Sequence, residues 1–201
     1  MDHADCIIFD MDDVLCRYDF TRRMDIMAEG LGIQAETIVA RIYDSGLDER
    51  ADAGEFTAET YLAALTRELK VEVPLELWLR ARRESMRAIP EVLELARRLG
   101  RKHTVAMLTN NGDLLRRHIA MVFPEALEVF GERAYFSCQF GAAKPQPEVF
   151  LSLLGRLGHA PRDALFIDDT SEYVAGAREA GLQAHLFTGY EALPSWLKEM
   201  A

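Results

Sequence analysis

Ile7-Ile8-Phe9-Asp10-Met11-Asp12-Asp13-Val14-Leu15 is a short apolar run closed by carboxylates at Asp10, Asp12 and Asp13. The run is too short and too unbroken for an amphipathic helix, so Cys6 to Phe9 reads as a buried strand. If the backbone stays extended beyond it, Asp10 and Asp12 point to the same side, because strand side chains alternate. Two carboxylates held side by side repel and stay ionised together only with a cation between them. Hard cations such as Mg²⁺ prefer carboxylate oxygens. The spacing therefore suggests a Mg²⁺ site at the carboxyl end of a buried strand, where open α/β sheets bind ligands. An acidic turn after an edge strand is the plainer alternative.

Downstream, the pattern becomes helical. Phe20, Met24, Met27, Ala28 and Leu31 share one face, and Ile38, Val39 and Ile42 repeat the spacing over 35–43. The stretch 44–55 is rich in Gly, Asp and Glu and reads as a loop. Thr57 caps a helix on Tyr61, Leu62, Leu65 and Leu69, and Pro74 starts another running to Met86. No strand is evident from about Tyr18 to Arg87, so the first strand is followed by a helical insertion of roughly four helices.

From Pro90 helices and strands alternate. Pro90 opens a helix closed by Gly100 as a left-handed cap. Strands are expected over 104–108, 134–137, 164–167 and 184–187. Helices are expected on Leu114 to Val122, on Val149 to Leu157 and from Thr170 or Ser171 to Ala180, with a closing helix or turn near Trp196. This alternation predicts an α/β fold: a Rossmann-like, doubly wound parallel sheet with an inserted α-helical cap. The expected division is a core of 1–17 and 88–201 and a cap of 18–87.

The 201 residues are 49% hydrophobic, enough for a substantial core. Asp plus Glu outnumber Lys plus Arg by 33 to 23, a formal charge of −10. That balance argues against nonspecific nucleic acid or anionic membrane partners. Local cations and a metal still allow an anionic substrate. Cys6, Cys16 and Cys138 show no CxxC spacing and read as reduced thiols, and no basic partner activates Cys16. His3, His103, His118, His159 and His185 are scattered and form no metal motif. The polar start at 1–5 and the lack of a long apolar stretch make a cytoplasmic protein the expectation. The oligomeric state stays open, and a monomer fits. The last residues, 198–201, are expected to fray.

Polar residues gather where the strands end: Asp10 and Asp12, then Thr109, Asn110 and Asn111, then Lys144 after a loop, then Asp168 and Asp169. In a parallel sheet these ends share one edge. Singly, each has a structural reading. Thr109 could cap the next helix, Lys144 could be a solvated loop lysine, and Asp168 with Asp169 could stabilise a helix N-terminus. Together they supply a nucleophile, a proton donor, donors for phosphate oxygens and a metal cage.

That conjunction resembles the haloacid dehalogenase superfamily, whose four motifs match Asp10-Met11-Asp12-Asp13-Val14, Thr109-Asn110-Asn111, Lys144-Pro145 and Asp168-Asp169. The resemblance covers essentially the whole chain. The insertion resembles the helical cap of the first subclass, and the length, Gly54-Glu55-Phe56 and the Lys-Pro segment look like its small sugar-phosphate phosphatases. Asp13 stands where the family often has Gly, and Asp tolerates the left-handed conformation that turn needs. The superfamily's dehalogenases lack an acid at position 12, so Asp12 favours phosphoryl transfer.

The resemblance implies that Asp10 is the nucleophile and Asp12 the general acid and base. It implies Mg²⁺ held by Asp10, Asp12 through its backbone carbonyl, Asp168 and Asp169. Thr109, the amide of Asn110 and Lys144 would bind the phosphate of a small phosphorylated metabolite. Arg17, Tyr18, Arg50 and Glu55 are the cap-side or entrance candidates. A sugar phosphomutase on the same framework and a non-catalytic phosphate-binding protein are the alternatives.

Overall fold

The computed structural model describes residues 4–200, so His3, the extreme start of the polar leader and Ala201 of the fraying tail lie outside the described residues. Among the described residues seven strands run in chain order: β1 (Cys6–Phe9), β2 (Cys16–Tyr18), β3 (Met86–Ala88), β4 (Thr104–Thr109), β5 (Ala134–Phe136), β6 (Ala164–Asp168) and β7 (Gln183–Leu186). Five of them form one parallel sheet in the order β5-β4-β1-β6-β7. The two central neighbours of β1 are thus β4 and β6, which come from far later in the chain.

The helices are α1 (Phe20–Leu31), α2 (Ala35–Ile38), α3 (Leu47–Asp52), α4 (Ala58–Leu69), α5 (Leu75–Glu84), α6 (Pro90–Leu99), α7 (Asp113–Val122), α8 (Pro124–Phe130), α9 (Pro147–Leu157), α10 (Ser171–Glu179) and α11 (Ser195–Met200). Alternation along β1 sorts the layers. Ile7 and Phe9 join the core built with α6, α7 and α8, while Cys6 and Ile8 face Val149, Phe150 and Leu153 of α9 and Ala177 of α10. Helices therefore cover both faces of the sheet, as a doubly wound fold requires.

The insertion occupies the stretch between β2 and β3, and here the structure corrects the sequence reading. Those two short strands, in a region expected to be free of strands, pair antiparallel with Cys16 opposite Ala88 and Tyr18 opposite Met86. They form a neck where the chain leaves the core and returns. Three residues a strand is too little periodicity to register in sequence. The helix at 35–43 changes from α to π geometry at Val39, and the acidic stretch read as a loop contains α3. Leu47 and Ala51, four apart, bury one side of α3 against the core. Helix α8 is also absent from the sequence reading: beyond the helix expected to Val122, Pro124 is the first residue of a new one. Gly100 has φ −61° rather than a left-handed cap conformation. Thr57 caps α4 as expected, accepting from the Thr60 N–H.

No helix among the described residues is long and apolar enough to cross a membrane.

Candidate active site

The register of the sheet puts the acidic residues together. Phe9 pairs with Ile167, and the Asp10 N–H donates to the Ile167 carbonyl at 2.9 Å, so Asp10 lies beside Asp168 one step beyond. Both side chains are buried. Asp169 follows at the more exposed rim. Asp10, Asp168 and Asp169 each offer an oxygen within 4.8 Å of the others. Three hard oxygen ligands at one spot suit Mg²⁺ in number and chemistry.

Lys144 enters this cluster from the loop before α9. Its Nζ donates to Asp10 Oδ1 at 2.6 Å and to Asp168 Oδ2 at 2.6 Å. The ammonium also lies 5.3 Å from the ring of Phe166 and 4.8 Å from that of Tyr173. Asn110 fixes the segment: its Nδ2 donates to the Lys144 carbonyl and its Oδ1 accepts from the Lys144 N–H, each at 2.9 Å. The Lys144–Pro145 peptide is cis. Lys144 is therefore no solvated loop lysine.

The electrostatics follow from burial. Desolvation pushes the Asp10 carboxyl up to about 8, with Lys144 pulling down and Asp168 pushing up. Desolvation opposes the Lys144 charge, yet Asp10 and Asp168 outweigh it and carry the ammonium up to about 12. Burial, then Asp168 and Asp13, also raises Asp169. One ammonium among three carboxylates leaves a negative surplus, which a divalent cation would offset.

Thr109 ends β4 and is buried, its Oγ1 accepting from Asn111 Nδ2 at 2.7 Å. It does not cap a helix: α7 begins at Asp113, after Gly112. Asp168 Oδ1 accepts from the Thr170 N–H at 2.8 Å, closing the turn into α10 without a side-chain cap from Thr170.

Asp12 stands apart from the carboxylate cluster. Its Oδ2 accepts from Nη2 of Arg82 at 2.5 Å, and its Oδ1 accepts from Cys16 Sγ at 3.7 Å. The side-by-side carboxylate pair suggested by the spacing of Asp10 and Asp12 is not formed, whereas the metal contact expected of Asp12 is through its backbone carbonyl. The Asp12 carboxylate is directed elsewhere, which leaves only its backbone carbonyl for a metal. Asp13 adopts φ 58°, the left-handed turn anticipated for it, and its Oδ1 accepts from the Tyr18 N–H. Burial, reinforced by Asp12, pushes the Cys16 thiol well above its ordinary range, which disfavours the thiolate.

A cleft of about 360 Å³ opens beside Lys144, walled by Glu49, Asp52 and Ala53 from the insertion and by Asn110 and Tyr173 from the core. Arg50 and Glu55 take no part in it; they pair with each other at 2.8 Å. Arg17 lines a second cleft with Asp13 and Asp169, and the Tyr18 ring lies under Arg82. The insertion is docked on the core: Ser137 Oγ donates to the Asp52 carbonyl at 2.7 Å and accepts from the Asn111 N–H at 3.1 Å.

Sequence reasoning missed Arg82, Tyr173 and Ser137. For Arg82 a signal existed, since Trp78, Leu79 and Arg82 follow helical spacing along the buried face of α5. An arginine on an apolar stripe is the informative exception. Tyr173 and Ser137 gave none.

The comparisons with known proteins agree with this geometry. The chain is 32% identical over 199 residues to "Phosphatase MT3486" of Mycobacterium tuberculosis, covering 90% of this chain and 85% of that one. It is 24% identical to the D-ribitol-5-phosphate phosphatase of Bacteroides thetaiotaomicron, over 88% of each chain. Its fold is similar to that of a haloacid dehalogenase family enzyme from Bacteroides thetaiotaomicron, solved with magnesium and inorganic phosphate. That likeness has a TM-score of 0.80 at 21% identity and covers 94% of this chain and 97% of the other. The model of the haloacid dehalogenase-like hydrolases matches residues 4–181, and the chain belongs to that family.

Proposed function

We propose that this hydrolase is a Mg²⁺-dependent phosphatase that cleaves a small phosphorylated metabolite through an aspartyl-phosphate on Asp10. The observation that carries the reading is the buried Asp10–Lys144–Asp168 cluster with Asp169 at its rim. A carboxylate nucleophile, a fixed ammonium and a hard-cation cage at one sheet edge are what phosphoryl transfer requires. Similarity to two phosphatases and to a fold solved with magnesium and phosphate supports it.

Asp10 attacks phosphorus while the bond to the leaving alkoxide breaks. Asp12 protonates that alkoxide, then activates the water that releases phosphate from Asp10. Thr109, the Asn110 N–H and Lys144 donate to the phosphoryl oxygens, where transition-state charge is spread. Asp10, Asp168, Asp169 and the Asp12 carbonyl would hold the metal. When bound, Mg²⁺ neutralises the cluster and orients the phosphoryl group.

The insertion, 18–87, acts as a cap over a core of 1–17 and 88–201, hinged at the β2–β3 neck. It excludes bulk water and selects the leaving group. Docking of α3 and its following loop beside Asn110 and Lys144 supports that role.

The test is phosphate release from an aryl phosphate and from polyol phosphates, with and without Mg²⁺, for wild type and Asp10→Asn. Metal-dependent release that disappears in Asp10→Asn is the expected result. Equal release from both proteins rules out Asp10 as the nucleophile.

A further inference from the structure

Arg82 projects from the last turn of α5 in the insertion to the side chain of Asp12, just beyond the end of β1. Its side chain is 1% exposed. Nη2 is satisfied by Asp12 Oδ2, but Nε and Nη1 have no hydrogen-bond partner among the described residues. Buried guanidinium N–H groups left unmet are costly, and native structures rarely keep them without a use. The ring of Tyr18 covers one face of the guanidinium at 4.2 Å, so its donors are available only in plane.

A second buried guanidinium adjoins the same tyrosine. Arg23 is 7% exposed, donates from Nη1 to the Tyr18 hydroxyl at 3.0 Å, and also has an unpartnered Nε. Arg23 and Arg82 meet at the same tyrosine, one on the Tyr18 hydroxyl and the other over its ring. Arg82 thus keeps two unmet donors beside the Asp12 carboxylate, where the leaving group must lie. A planar guanidinium fork is matched to carboxylate and phosphate oxygens.

We propose that Arg82 is a specificity-determining residue whose guanidinium binds a second anionic group, a carboxylate or a phosphate, on the leaving group of the substrate. This rests on the phosphatase reading and narrows it to phosphomonoesters of acidic or doubly phosphorylated alcohols. Arg23 adds positive potential behind Arg82.

The test compares matched pairs: 3-phosphoglycerate against glycerol 3-phosphate, and glucose 1,6-bisphosphate against glucose 1-phosphate. Wild type is expected to favour the anionic member of at least one pair by about tenfold or more in kcat/KM. Arg82→Gln is expected to erase that preference, mainly through KM, and Arg82→Lys to retain part of it. If Arg82→Gln melts early, Arg82→Lys, which keeps the charge without the fork, decides. Preference for the neutral member in both pairs, or an equal loss on both members in the variant, overturns the proposal. Calorimetric binding of the same pairs to Asp10→Asn protein, with and without Arg82→Gln, reads Arg82 independently of turnover. Hydrolysis of none of these compounds or of an aryl phosphate would defeat the phosphatase reading. Selective binding of the anionic member, lost with Arg82→Gln, would still uphold the role of Arg82.

Discussion

Nζ of Lys144 lies 2.6 Å from Oδ1 of Asp10, across a separation of 134 residues in the chain. The same ammonium reaches Asp168, so one cation holds two buried carboxylates in place. Lys144→Met removes the ammonium from both. Breaking a buried ion pair from one side costs about 3–5 kcal/mol, which urea unfolding will detect. Loss of a donor to the phosphoryl oxygens should also lower kcat by about 100-fold or more. A variant as stable and active as wild type would contradict the assignment.

Metal dependence follows from the three carboxylates. Chelation should abolish phosphate release and Mg²⁺ should restore it. Asp169→Asn removes the ligand at the rim and spares the buried pair. Its half-saturating Mg²⁺ concentration should rise by at least about tenfold, the scale seen when even an outer partner of a metal ligand is lost. Titration of activity against Mg²⁺ measures this directly.

Gly176 of α10 lies under the segment that carries Lys144. A Cβ there would sit 2.1 Å from the Pro145 carbonyl oxygen, and backbone at that distance has to move. Gly176→Ala should therefore displace Lys144 and cost about 1–3 kcal/mol through overpacking. Activity should fall together with stability, although residue 176 does not touch the proposed site. Melting curves and kcat measured on one preparation test the coupling.

Asp113 ties the insertion to the core and gives stability a pH dependence. Its carboxylate accepts from the Ala58 N–H at the start of α4 and from Arg116. Burial pushes this carboxyl up, but the hydrogen bonds from Arg116 and Ala58 outweigh it and hold the group below its ordinary value. A pKa lower in the folded than in the unfolded chain adds stability at pH values above the ordinary one. That stability is lost as pH falls through the folded value. Asp113→Asn should lower stability at neutral pH by about 1–2 kcal/mol. The gap to wild type should narrow as pH falls below the ordinary aspartate value and through the lower folded one. A constant gap across that range would exclude the linkage.

The parts legible in sequence are those that depend on strong local pattern. Cys6 to Phe9 could only be a buried strand, and parallel pairing then forced Asp10, Thr109 and Asp168 onto one edge of the sheet. The Asp10–Lys144 contact was foreseeable as convergence but not as a bond, because the clamp from Asn110 depends on tertiary placement. The β2–β3 neck and α3 escaped notice for a different reason. Each is held by contacts with distant segments rather than by its own periodicity. Spacing set the Asp12 side chain beside Asp10, whereas the resemblance implied only its backbone carbonyl for the metal. The partner that draws its carboxylate aside, Arg82, comes 70 residues later and from the insertion.

The central claim is that Asp10 carries the phosphoryl group. Rapid-quench labelling with a ³²P-phosphomonoester, followed by peptide mapping, tests it most directly. Wild type should show transient label on the peptide containing Asp10, Asp12→Asn should retain it longer, and Asp10→Asn should show none. Turnover by wild type with no protein-bound label, or label on a peptide lacking Asp10, would contradict the mechanism.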